Sequence, residues 1–153
     1  MKTLILSLVF FLTLSCNNND DNQSATNVAT PITPTLIGKG ELFIPYNNIN
    51  VQQNINISNQ TDWNNFIAVL GNSGNPSFIL SETVIDFNNF EIIAVFDNVK
   101  PTGGNSIDIT SIIENVDNIS VTIQRLQSGD ATVVTQPYHI VKIPISTKPV
   151  VFQ

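Results

Sequence analysis

Glu91-Ile92-Ile93-Ala94-Val95-Phe96 is the stretch on which the fold turns. It is short and rich in β-branched and aromatic residues, and it is apolar at successive positions rather than every second one. That is the pattern of a strand covered on both faces, not of an edge strand or a surface helix. The elements on either side of it must supply the cover.

C-terminal to this run, Lys100-Pro101-Thr102-Gly103-Gly104-Asn105-Ser106 combines a Pro-initiated turn with paired glycines that tolerate positive φ. As chemistry it could act as an anion loop. It lacks the G-x-x-x-x-G-K-[ST] order, however, and no helix follows to supply a dipole, so a turn is the favoured reading. Ser106 to Glu114 and Ile119 to Leu126 then alternate, with Ile107, Ile109 and Ile113 on the first strand and Ile119, Val121 and Ile123 on the second. Asn115-Val116-Asp117-Asn118 joins them as a hairpin turn. Tyr138 to Ile143, stopped by Pro144, and Val150-Val151-Phe152 are the last strands.

N-terminal to the run lies the one good helix, in which Trp63, Phe66, Ile67 and Leu70 fall at i, i+3, i+4 and i+7. Thr61 is the expected cap, Asp62 suits the positive end of the dipole, and Gly71 closes the element. Leu36 to Ile44 reads as a strand that Gly38 and Gly40 bend or bulge, Ile55 and Ile57 mark a half-exposed strand, and Phe78-Ile79-Leu80 a short one. The expected class is α+β: a mostly antiparallel sheet or half-barrel with one short amphipathic helix.

The chain begins differently. Lys2 followed by Leu4 to Leu12 has the charged and apolar regions of a signal peptide over residues 1–15, and the run is too short for the ~20 apolar residues that span a bilayer. Leu12-Thr13-Leu14-Ser15-Cys16 resembles a lipobox, with Thr13 at the place of the usual leucine. That resemblance implies a diacylglycerol thioether on Cys16, the chain's lone cysteine, and a lipid-anchored protein of the bacterial envelope, outer membrane by expectation, on its periplasmic or surface face. The Asn/Asp tract after Cys16 is similar to the acidic export tags of surface lipoproteins. Residues 16–35 are Asn, Asp, Ser, Thr and Pro with almost no bulky apolar side chain, and are expected to form a flexible tether before a single domain over 36–153.

Composition excludes some functions. Without Lys2, the basic residues Lys39, Lys100, Arg125, Lys142 and Lys148 are scattered among twelve acidic ones, which disfavours nucleic acid and leaves acyl chains as the membrane link. Catalytic groups are sparse. The one histidine, His139, lies in an expected strand on the face of Val141 and Ile143 and reads as structural, no G-x-S-x-G elbow is present, and the acids at 86, 91, 97, 108, 114, 117 and 130 lack calcium-loop spacing. No enzyme activity, cofactor or metal is expected.

Phe90 to Phe96, then Lys100-Pro101-Thr102-Gly103-Gly104-x-Ser106-Ile107, then Gln136-Pro137-Tyr138-His139-Ile140-Val141-Lys142-Ile143-Pro144, in that order and spacing, resemble the C-terminal domain of the protease complex subunit PrcB family. One departure is Asn105, where such families carry an aromatic after the glycine pair. The resemblance implies a non-enzymatic exported accessory that associates with a secreted or surface protease. Lys100, Pro101, Thr102, Gly103, Gly104, Gln136, Pro137 and Tyr138 are the expected contact residues, Tyr138 serving as a rigid aromatic anchor. Two alternatives stand beside it. The Pro-Thr-Gly loop paired with a Gln-Pro-Tyr turn is similar to the loops of chagasin-type cysteine-protease inhibitors, and a glycan- or small-molecule-binding lipoprotein would use an aromatic cleft drawn from Trp63, Tyr46 and Tyr138.

Overall fold

The computed structural model describes residues 28–43, 51–71, 79–126 and 131–153. Its strands are β1 (Thr30–Pro31), β2 (Thr35–Phe43), β3 (Gln53–Ile57), β4 (Phe90–Phe96), β5 (Ser106–Glu114), β6 (Ile119–Leu126), β7 (Thr135–Pro144) and β8 (Val150–Phe152), with helix α1 (Gln60–Gly71) after β3. They form two four-stranded sheets, ordered β1-β5-β6-β8 and β2-β7-β4-β3. The pairings are antiparallel except β6 with β8, and neither sheet closes into a barrel.

The β2-β7-β4-β3 sheet is the middle layer, and the pleat of its central strands explains why. Ile92, Ala94 and Phe96 of β4 and Tyr138 and Ile140 of β7 point to one side, into a core completed by Trp63, Phe66 and Leu70 of α1. The intervening Ile93, Val141 and Ile143 point to the other side, into a core shared with Ile112, Ile119 and Val121 of the second sheet. Unbroken apolarity in Glu91–Phe96 is thus the consequence of a helix above and a sheet below.

Helix α1 is held as its pattern predicts, with Trp63 and Leu70 wholly buried and the Trp63 indole donating to the Thr83 carbonyl at 2.9 Å. Its cap differs from expectation. Asn59, not Thr61, accepts the Asp62 amide at 2.9 Å, and its own amide donates back to the Asp62 carboxylate at 2.7 Å, a reciprocal cap that starts the helix earlier.

Three other boundaries move. Thr30–Pro31 pairs with Glu114 and Ile113 of β5, and Ile32 donates its amide to Ile112 and packs on the second core, so the expected tether over 16–35 ends before its distal boundary because Ile32 has apolar surface to bury. Ile79 and Leu80 form no strand; Leu80 fills the helix-side core instead. Strand β7 begins at Thr135, so Gln136-Pro137 lies inside a strand rather than in a turn. The bulge expected in β2 falls between Leu36 and Gly38, where the Ile79 carbonyl comes within 2.5 Å of where a Cβ on Gly38 would stand.

Candidate functional site

Between β4 and β5 the chain leaves the middle sheet for the second one, and the Lys100–Ser106 loop makes that crossing alongside the segment that enters β7. Lys100 and Thr135 exchange both backbone hydrogen bonds, at 2.7 and 3.0 Å, and the Gly103 amide donates to Ala131 at 3.0 Å. At the loop's base the Asp97 carboxylate, almost wholly buried, pairs with Lys100 at 2.9 Å and Arg125 at 3.1 Å and accepts the Asn98 amide at 2.8 Å. Burial alone would raise its pKa. The Lys100 ammonium, the Asn98 amide and the charge of Arg125 outweigh that and hold the carboxyl below the usual range. Lys100 is therefore committed to the loop's own base.

Glu41 of β2 fixes the loop's tip. Its carboxylate accepts the Gly104 amide at 2.8 Å, the Asn105 amide at 3.0 Å and the Thr135 hydroxyl at 2.7 Å. Gly104 has φ 84°, a left-handed conformation that glycine adopts without strain, and it turns successive amides toward one point. The loop is thus an anion nest, as its glycines allow, and the anion it holds is the chain's own. Asn105 is buried and donates its side-chain amide to the Thr102 carbonyl. It ties the turn from within.

Gln136, Pro137 and Tyr138 do not belong to this surface: all are buried, Gln136 completely. Their arrangement has a structural cause. After the last β4 to β7 pair, Phe96 with Tyr138, the Asp97 amide still donates to Pro137 at 3.0 Å, but proline has no amide to return. The Gln136 side chain supplies that donor, reaching the Asp97 carbonyl at 2.9 Å and the Val51 carbonyl at 3.1 Å. Tyr138 stacks on Phe96 and lies flat against Gly38 and Gly40. It is a core residue, which removes both the expected aromatic anchor and the second loop on which the inhibitor resemblance rests.

His139 lies on the face expected of it, toward Val141 and Ile143, and bridges the sheets: its Nδ1 accepts the Ile109 amide at 3.0 Å, at the bulge in β5. Burial foremost, and then the positive charge of Lys39, lower its pKa. A neutral imidazole accepting from a backbone amide serves the fold.

Exposed at this end, among the described residues, are Pro101 and Gly104 at the tip, Thr102 in part, Ala131 and Thr132 beside it, and three larger apolar side chains brought to the same strand ends: Phe43 (59% exposed), Leu126 (48%) and Val134 (41%). The register explains their proximity, since Phe43 pairs with Thr135, Thr135 with Lys100, and Leu126 with Ser106. Sequence reasoning found the loop but missed Glu41 and this apolar rim, for which no local motif exists.

The other expected sites fare differently. A shallow pocket of about 200 Å³ is lined by Pro31, Ile32, Pro34 and Ile109–Ile112, with no aromatic among them, and Trp63 and Tyr138 are both buried, so neither offers a glycan platform. Tyr46 and Cys16, with residues 1–15, lie outside the described residues. Among the described residues no group of three His, Cys, Asp or Glu gathers as for a metal, and no helix is long and apolar enough to cross a membrane.

Residues 92–144 match the family model described as PrcB C-terminal. The match runs from β4 through the Glu41-bound loop to the end of β7, the same segment in which the sequence resembles that family's C-terminal domain. No curated protein and no solved structure matches the chain.

Proposed function

We propose that this chain is a non-enzymatic, exported lipoprotein, anchored through Cys16, whose β-domain docks a component of a protease complex at the end of the molecule that carries the Pro101–Gly104 tip. The match over residues 92–144 is consistent with an accessory role in such a complex. The observation that carries the site is the loop tip locked by Glu41 and rimmed by exposed Phe43, Leu126 and Val134. A loop already fixed in one conformation loses little entropy on binding, and apolar side chains around a rigid tip favour burial against a partner. Export and anchoring rest on the lipobox-like Leu12 to Cys16 and the apolar run before it.

Two experiments test this reading. Affinity capture from envelope extracts, with mass spectrometric identification, is expected to recover a protease with the parent chain and to lose it with a Phe43→Asp, Val134→Lys double variant that retains its circular dichroism. Unchanged recovery would remove the site assignment. Replacing Cys16 by Ala is expected to move the protein from membrane to soluble fractions, and unaltered fractionation would remove the anchor.

A further inference from the structure

Two sheets present four edges, and three are guarded in ways that discourage strand addition. On the β2 edge a bulge interrupts the ladder and the Ile37 carbonyl already accepts the Ser81 amide at 2.8 Å. The β5 edge is covered by β1, extended by the Ile32 amide, with Pro31 and Pro34 alongside. The β8 edge is only three residues long and is preceded by Lys148-Pro149.

Among the described residues the β3 edge has none of these. Its five residues pair with β4 in unbroken register from Gln53–Phe96 to Ile57–Ile92, without bulge, proline, glycine or charge. The neutral stretch is longer than the strand: no charged residue occurs from Leu42 to Thr61, in a chain of net charge −6. Two copies of so acidic a chain repel over most of their surface, and this strip is where they can approach without it.

The sequence of β3 is also complementary to itself in an antiparallel arrangement. A two-fold axis through Ile55 sets Ile55 opposite Ile55, Gln53 opposite Ile57, and Asn54 opposite Asn56. On the helix side this places half-buried Ile55 against its own copy. On the other face it sets exposed Asn54 and Asn56 amide to amide, a pair able to donate and accept in both directions. Such pairing would join two middle sheets into one continuous sheet with both α1 helices on the same face.

We propose that a second copy of this chain binds the β3 edge by antiparallel strand addition. A five-residue edge buries less than the about 1,200 Å² of a stable interface, so the dimer is a weak one, with micromolar to millimolar dissociation.

Sedimentation equilibrium of the full chain in detergent solution tests this, with variants that retain the parent circular dichroism. The parent is expected to show a monomer–dimer equilibrium, and a double Asn54→Lys, Asn56→Lys variant, which sets like charges opposite each other, to associate at least about tenfold more weakly. A control pair of equal charge on the far sheet, Thr122→Lys with Gln124→Lys, both exposed in the parent, is expected to leave association unchanged. Mixing the Asn54→Lys, Asn56→Lys variant with an Asn54→Glu, Asn56→Glu variant is expected to restore dimers, because each lysine then faces a glutamate. A parent that stays monomeric up to about 1 mM, or an Asn54→Lys, Asn56→Lys variant that associates as the parent does, would overturn the proposal.

Discussion

Truncating Glu41 to Ala is the sharpest perturbation the loop offers. The carboxylate accepts from Gly104, Asn105 and Thr135, and two of these donors have no ready access to water, Asn105 being 8% exposed and Thr135 1%. A buried donor left without an acceptor costs about 1–3 kcal/mol. The Thr135 hydroxyl retains the Thr102 carbonyl at 3.2 Å, and the exposed Gly104 can turn its amide to solvent, so most of the loss falls on Asn105. The expected destabilisation is about 2–3 kcal/mol by urea unfolding, accompanied by loss of exchange protection at the Asn105 amide. Glu41→Gln keeps one carbonyl oxygen and is expected to fall between parent and Ala. A loss under about 0.5 kcal/mol, with Asn105 exchanging as in the parent, would refute the carboxylate's role as the tip's anchor.

Other substitutions separate the fold from the site. Trp63→Ala should cost about 3–5 kcal/mol and Trp63→Phe about 1–3, since the first opens a cavity and the second mainly forfeits the Thr83 bond; urea midpoints, read by circular dichroism, decide the order. Asp97→Ala leaves Lys100 at 16% side-chain exposure and Arg125 at 36% without their partner; because Arg125 is well solvated, about 2–4 kcal/mol is expected, and a neutral outcome would contradict the ion-paired base of the loop. His139 has a folded pKa below its ordinary 6.5, so the folded state takes up a proton less readily than the unfolded one. Its contribution to stability is complete above about pH 6.5 and is lost as pH falls through that value toward the folded pKa. Comparing urea midpoints at pH 7.5 and 5.5 in parent and His139→Gln should show a shallower fall in the variant, and equal falls would contradict the assignment.

How much of this was legible in the sequence varies with the range of the interaction. The unbroken Glu91–Phe96 run announced a strand covered twice, and alternation on either side of Asn115–Asn118 placed β5 and β6 at the ends they have in the fold. Those signals are local, written in periods of two or in none. Gln136-Pro137-Tyr138 misled because proline usually ends a strand, and nothing nearby says that the preceding glutamine stands in for the missing amide. Glu41 was silent for a related reason: it lies 63 residues from Gly104, and a lone carboxylate in a strand reads as solvated until the fold closes the loop over it. The two-residue β1 is likewise produced by a partner distant in sequence, and Val150–Phe152, legible as a strand, carries no local sign of its parallel pairing with β6.

The proposed docking surface is the Glu41-fixed tip with its apolar rim. Amide hydrogen exchange of the chain, alone and with whatever partner envelope capture recovers, decides whether that surface is the one occupied. Added protection is expected at Thr102, Gly104, Val134 and Phe43, with the helix face unchanged. Protection confined to α1 or the outer face of the β5–β6 sheet, with those four amides exchanging as in the free chain, would contradict it.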